Sequence, residues 1–290
     1  MSKDRRDAKR VDMPGMNQLL IDIKPYRYQN EVYINTKFDV TELMDYLAEK
    51  KAAGQHITFF HAMMAAIGKT VYNRPKLNYF IKDRHCYDHK QVSIGFVAKM
   101  QLNDKSEEMM MVIPIAPEDT LGTLTEKIGS RVSGMRNSKP EDVAMEGGNS
   151  VFDSLGHLPN IVRVPLMGIL QWMDRKDLLP SFLLEDLFYY SSIGITNLGA
   201  IKCGAIYHNL SELGTMSSMA AVGEIKPTEV LMPDGSKQIR KLVEFGITLD
   251  ERIADGYYFA KSCKLLEYIL AHPQLLDEPA AAKVDLGEVR

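Results

Sequence analysis

Residues 216–225 (MSSMAAVGEI) and 241–250 (KLVEFGITLD) are alternating segments on either side of MPDGSK, whose Asp-Gly pair marks a reversal, and together they predict an antiparallel hairpin. In the second segment Val243, Phe245, Ile247 and Leu249 share one face, because side chains alternate along a strand. An apolar face needs a covering layer, and the chain supplies one at once. LDERIADGYYFAKS, from Leu249 to Ser262, ends the alternation in Asp-Glu-Arg, turns at Asp-Gly and enters a helix expected from Tyr257 to Ala271. That helix is apolar around most of its circumference, as a helix buried on two sides would be. Glu251 sits where the strand hands over to the helix.

The same alternation of strand and helix patterns runs through the remainder. Residues 31–38 alternate like a half-buried strand, and DVTELMDYLAEKKAAG then opens with Asp39 three places before Glu42, a capping-box start, and closes at Gly54. A second helix runs from Thr58 to Arg74-Pro75, where proline disfavours helical geometry in the residue before it. Strands are expected at 91–100 and 109–117, joined by the charged turn NDKSEE, followed by a helix from Asp119 to Met135. A polar loop, 138–150, precedes helical stretches at 151–158 and 161–174, and YYSSIGITNLGA (189–200) reads as a buried strand closed by a turn. The expected fold class is α/β, a two-layer sandwich with a mixed sheet covered by helices in one domain spanning 25–275. Residues 1–24 and 276–290 are expected to be tails, and the basic start, interleaved with aspartates, a solvated one.

A net charge of −3 gives no field that would gather nucleic acid. No stretch reaches the roughly 20 apolar residues of a membrane span. The three cysteines are far apart and lack metal or disulfide spacing, so no metal is expected and a reducing cytoplasm is the simplest home. The apolar excess in 161–190 is interrupted by charges, which suits a packed or subunit-contact segment.

Asp255-Gly256 ahead of a helix is explained by N-capping alone, since Asp accepts the unpaired amide protons of a first turn. The ordered set is more specific: DVTEL, VSIGFVAK, VIPIAP, GITNLG, AAVGEI and LDERIADG. From about residue 30 to 275 this set resembles the catalytic domain of the dihydrolipoyl acyltransferases of 2-oxoacid dehydrogenase complexes, whose fold is shared with chloramphenicol acetyltransferase. The resemblance implies a chloramphenicol acetyltransferase-like sandwich, assembled as a homotrimer with active sites between subunits. It implies CoA or acyl-CoA as substrate, a small-molecule acyl acceptor, and no covalently bound cofactor. No lipoyl-carrying or subunit-binding module is recognisable, which suits a stand-alone relative, and the stretch 138–190 is an insertion relative to the family.

The family signature is His-x-x-x-Asp-Gly, and aligned on Asp255-Gly256 its histidine position is Glu251, with Asp250 and Arg252 beside it. In the family that imidazole takes the proton from the attacking nucleophile. A base works best with a pKa near the operating pH; His starts at about 6.5 and Glu at about 4.3, and an apolar channel raises a carboxylate's pKa by desolvation. Thr196 falls where the family places the hydroxyl that binds the tetrahedral oxyanion, a donor worth about 3 kcal/mol. Asn197 and Gly199 shape the turn behind it. The resemblance makes Asp255 a structural residue paired with an arginine, with Arg27 and Arg252 as competing partners, and Gly256 the second residue of the turn. His208 lies where the family lines its CoA channel and is a second candidate base; an isolated loop histidine is more often structural. His61 reads as a core histidine. Two functions stay open: an acyl-CoA-dependent acyltransferase with Glu251 or His208 as base, or a catalytically inactive member acting in binding or assembly.

Overall fold

The computed structural model describes residues 4–99, 108–137, 147–184 and 187–285. Along the chain, β1 (Ala8–Val11) and α1 (Gly15–Ile23) precede β2 (Glu31–Asp39), α2 (Thr41–Ala52) and α3 (Phe59–Asn73). β3 (Tyr79–Lys82) and β4 (His85–His89) are short; β5 (Val92–Lys99) and β6 (Glu108–Ile115) are longer and lead to α4 (Leu121–Asn137). α5 (Gly147–Gly156), α6 (Asn160–Arg175) and α7 (Ser181–Leu184) come before β7 (Ile193–Asn197). β8 (Ser218–Leu231), β9 (Lys237–Asp250) and α8 (Gly256–Ala271) complete the order. Residues 103–107 of the expected charged turn and 138–146 of the expected polar loop lie outside the described residues.

The main sheet has six strands in the order β2-β9-β8-β7-β5-β6. β7 runs parallel to both of its neighbours, and the β2–β9, β8–β9 and β5–β6 pairs are antiparallel, which makes the sheet mixed. The predicted hairpin is its centre, longer than the sequence pattern indicated because Lys226–Leu231 and Lys237–Lys241 continue pairing as a solvent-facing ribbon beyond the core. Val243, Phe245 and Leu249 are buried together with Leu43 of α2, Met64 of α3 and Leu266 of α8, so the helices cover one face of the sheet. That face is the α layer of the expected two-layer sandwich.

The opposite face of β8 and β9 is crossed by backbone. A Cβ on Gly246 would stand 2.1 Å from the carbonyl oxygen of Ile206, and one on Gly223 would stand 2.8 Å from the amide nitrogen of Ala205. Segment 203–210 can lie directly on the strands because these two positions have no side chain. It then reaches the edge strand, where the rings of Tyr207 and Tyr33 meet edge to face at 5.3 Å and Leu210 N–H donates to Glu31 Oε1 at 2.7 Å.

Both terminal regions expected as tails are folded as far as they are described, which corrects the sequence reading. β1 pairs with β4 in a second, three-stranded sheet of order β1-β4-β3, with Ala8 packed against Phe80 and Tyr87. Four residues containing two cations carry no strand period, so the pattern gave no warning. At the other end Leu276 and Ala280 are buried, and Ala280 N–H donates to the Asp119 carbonyl at 2.7 Å. Two helix starts also differ in detail. Asp39 Oδ1 accepts from Thr41 N–H at 2.9 Å and Arg240 bridges Asp39 and Glu42, so the expected capping box does not close. His61 is no core residue: it forms a capping box with Thr58 at the start of α3, half-buried, and burial lowers its pKa. The strand expected over 189–200 is confined to Ile193–Asn197. Helices α5, α6 and α7 form a small core of their own around Leu170, Leu179 and Leu183. Among the described residues no helix is long and apolar enough to cross a membrane, and no group of three metal-ligating side chains gathers.

Two outcomes follow from this packing. Gly246→Ala should lower stability by about 2 kcal/mol, the usual cost of overpacking, because the clash is with backbone that cannot rotate away; urea denaturation measures it. His89 joins the small sheet to segment 211–217: its Nδ1 meets Asn78 O at 2.7 Å and its Nε2 meets Thr215 Oγ1 at 2.9 Å. Burial pushes its pKa down from 6.5 to about 4. The folded state therefore refuses a proton that the unfolded state accepts, and this contribution to stability is present above pH 6.5 and lost as pH falls towards 4. His89→Gln should flatten that part of the stability–pH curve.

Candidate active site at the β9–α8 turn

β9 ends with Asp250, whose side chain points to the crossed face of the sheet and is fully buried. A buried carboxylate must be paired, and Asp250 holds Arg252 in a two-pronged contact, Nε to Oδ1 at 2.8 Å and Nη2 to Oδ2 at 2.6 Å. Arg27 approaches from the other side, its Nε 3.7 Å from Oδ2. Arg252 Nη1 also donates to the carbonyl oxygens of Lys24 and Pro25 at 3.2 and 2.8 Å, and Asn30 Nδ2 donates to those of Lys24 and Tyr26. The turn and the loop before β2 are thus one hydrogen-bonded unit. Burial lowers the pKa of Arg27, and the Asp250 charge opposes that shift.

The partner expected for Asp255 is therefore corrected: both arginines turn to Asp250. Asp255 is exposed and caps α8, accepting from Tyr258 N–H at 2.8 Å. Gly256 follows as the first helical residue, where an added Cβ would touch nothing within 4 Å.

Glu251 comes next to the buried carboxylate and faces the other way. Its N–H donates to Asn30 O at 2.9 Å, which adds one rung to the β2–β9 ladder. Its carboxylate is 44% exposed and pairs with Lys24 Nζ at 3.1 Å. Around it lies a groove of about 770 Å³ between α1, the edge strand β2 and the start of α8, with Leu20, Val32, Ile34 and Phe259 as apolar lining. Cys263 also lines this groove, but burial raises its thiol to about 11, which removes it as a nucleophile at neutral pH.

Thr196 does not share this groove. It is aligned with Ala221 on β8, which in turn is aligned with Gly246 on β9. With strands about 4.8 Å apart and about 3.3 Å per residue, five residues along and two strands across put Thr196 on the order of 20 Å from Glu251. Ile195 faces the helix-covered core, so Thr196 points to the opposite face, half-buried. Asn197 and Gly199 form the turn after it; a Cβ on Gly199 would stand 2.6 Å from Gly223 O.

His208 lies in the crossing segment, just past the Tyr207–Tyr33 contact. Its Nε2 is buried without a hydrogen-bond partner among the described residues, and burial lowers its pKa. No hydrogen bond joins it to Glu251 or Thr196 among the described residues. Sequence reading missed two participants, Lys24 and the central role of Asp250. Lys24 carries no motif, and Asp250 is visible only as the neighbour of the signature position.

No protein-family model matches this chain, and no curated protein does. Solved structures match over nearly its full length. A probable dihydrolipoamide acetyltransferase from Listeria monocytogenes 4b F2365 superposes with a TM-score of 0.58 at 14% identity, covering 91% of this chain and 94% of that one. A truncated catalytic core of the 2-oxoacid dehydrogenase multienzyme complex from Thermoplasma acidophilum gives 0.56 at 17% identity, covering 91% and 98%. Chloramphenicol acetyltransferase gives 0.53 at 13% identity, covering 91% and 99%.

The pairing around the turn sets an order of sensitivities. Asp250→Ala leaves two buried guanidinium groups without their carboxylate and should cost about 3–5 kcal/mol. Asp255→Ala removes only a cap and should cost about 1 kcal/mol. Thermal unfolding of the two variants reads the difference, and equal losses would refute the assignment. The fold of this chain is that of the dihydrolipoamide acetyltransferase cores and of chloramphenicol acetyltransferase.

Proposed function

We propose that the protein is an acyl-CoA-dependent acyltransferase acting on a small acceptor, with its active site completed between copies of the chain in a homotrimer. The observation that carries the reading is the β9–α8 turn: Glu251 stands at the family's base position, on a turn fixed by Asp250 and Arg252, and opens onto a groove beside an edge strand. The separation of Thr196 from Glu251 fits the same reading. A site that uses both needs Thr196 from one copy and the turn from another. Met16, Leu19, Ile23, Tyr33, Tyr207 and Tyr257 are exposed on the elements that frame or adjoin the groove, a collection of apolar surface that a subunit contact would cover.

In this scheme a base removes the proton of the attacking thiol, hydroxyl or amine, and the nucleophile adds to the acyl carbonyl. The Thr196 hydroxyl donates a hydrogen bond to the tetrahedral oxyanion. Collapse breaks the bond to the leaving group, which takes the proton back from the base. Glu251 and His208 are the two candidates for that base. His208 has an unpartnered Nε2; Glu251 has the family position but is open to solvent and held by Lys24 within one chain. That ion pair favours the second reading, a catalytically silent member that binds or assembles.

Thiol release from acetyl-CoA, followed with a panel of small acceptors, tests both readings. If Glu251 is the base, Glu251→Gln abolishes turnover and His208→Ala spares it; if His208 is the base, the pattern reverses. Thr196→Ala should lower kcat by roughly 100-fold in either case. Light scattering that reports a monomer would sink the shared site. Absence of CoA binding by calorimetry in the wild type and in Glu251→His would leave only the silent reading.

A further inference from the structure

Behind the turn, on the other side of Arg252 from Glu251, is a small pocket of about 120 Å³. Its walls carry five cationic side chains, Arg27, Lys82, Arg84, Arg175 and Arg252, against two carboxylates, Asp83 and Glu212. Most of these charges have partners. Arg252 is held by Asp250, Lys82 by Asp174, Asp83 by Lys176 at 2.7 Å, and Glu212 by the backbone amides of Arg27 and Tyr28. Arg84 uses one nitrogen, Nη1, on Asp22, donating to its carbonyl oxygen at 3.0 Å and pairing with its exposed carboxylate at 3.5 Å. Arg175, exposed at the C-terminal end of α6, makes no side-chain hydrogen bond or ion pair with any described residue. Inside the wall, Arg27 is only 2% exposed; its Nε makes no hydrogen bond and lies 3.7 Å from Asp250 Oδ2.

We propose that this pocket binds a single phosphate-type oxyanion, held by Arg175 and Arg84 at the rim above the buried Arg27–Asp250 pair. A pocket of this size has room for a small tetrahedral anion. Arginine presents several N–H donors in one plane, the geometry that grips an oxyanion with two parallel bonds. The rim is also built at a cost. Asp83 and Arg84 both have left-handed backbone, with φ of 47° and 64°, where a two-residue turn would favour Asn-Gly. Residues kept in such conformations are a reason to look for function at the position. Burial pushes Lys82 down to about 8, a penalty that a bound anion offsets. Arg175 comes from the 138–190 insertion, so the pocket is closed by the segment that separates this chain from the family pattern. The site stands independently of acyl transfer, since none of its walls touches the acyl carbonyl in the scheme above.

The test is calorimetry of the full chain with inorganic phosphate at constant ionic strength, with chloride as the balancing anion. A saturable single site is expected, weakened by about tenfold in Arg175→Ala, the loss typical of one charged hydrogen-bonding partner. Arg84→Ala should act in the same direction, and Glu251→Gln should leave phosphate binding unchanged. Phosphate should also raise the Tm of the wild type by more than that of Arg175→Ala at the same concentration. No saturable heat at millimolar phosphate, or equal affinity in wild type and Arg175→Ala, overturns the proposal. A competition arm identifies the source: displacement of phosphate by CoA but not by its dephospho form assigns the site to a CoA phosphate, and independent binding assigns it to a free anion. Failure of CoA to bind leaves the phosphate result standing, so the two readings are separable.

Discussion

Asp250 is fully buried with one guanidinium in two-pronged contact and a second close by, and the layout of the site depends on this arrangement. Removing a carboxylate from water costs several kcal/mol, and that cost is met only when opposite charge and hydrogen bonds replace the lost hydration. Arg252 meets it from inside the turn and Arg27 from the loop ahead of β2. Because Arg252 also holds the carbonyls of Lys24 and Pro25, the edge strand, the turn and the end of α1 cannot shift independently. Pairing of this kind adds little to net stability compared with an apolar core. What it does is fix the direction in which the next residue, Glu251, leaves the strand.

The same economy appears on the crossed face of the sheet. Segment 203–210 has no secondary structure of its own, yet it sits on β8 and β9 at the two glycines and ties to β2 through Tyr207 and Leu210. Those contacts place His208 beside the edge strand. A histidine delivered by a coil would ordinarily be mobile and solvated; this one is held by backbone against backbone, which is why its Nε2 can be buried and still unpaired.

How much of this was legible in the sequence follows from the range of the interactions concerned. The β8–β9 hairpin was readable because alternation fixes which side chains face the core, and α8 because its apolar residues surround it. β1 was not, since its partner β4 lies far along the chain and neither AKRV nor HCYDH has a one-faced pattern. Arginines near an acidic turn were visible, but which carboxylate they choose depends on burial: Asp250 is inside and Asp255 is not, and a row of letters does not show that one faces in and the other out. The stretch 161–190 reads as apolar in the sequence, and the structure divides that excess between an inner core around Leu170 and an outer face with Ile161, Val164, Ile169 and Trp172 exposed.

Glu251, at the position where the resemblance implies a histidine, then has a physical reading. An imidazole can act as base while partly solvated, because its ordinary pKa already lies near neutrality. A carboxylate has to be enclosed before it does the same. One copy of this chain does not enclose Glu251; it supplies Lys24 as a counterion and leaves the groove open along an edge strand. The apolar residues of α1, β2 and the crossing segment border that opening, so covering them with a second copy would both exclude water from Glu251 and bring up a Thr196 that its own chain holds far away. Enclosure of Glu251 and a contact between copies would therefore be one event: a contact that covered the exposed tyrosines and leucines would also decide whether the carboxylate is desolvated or stays a surface ion.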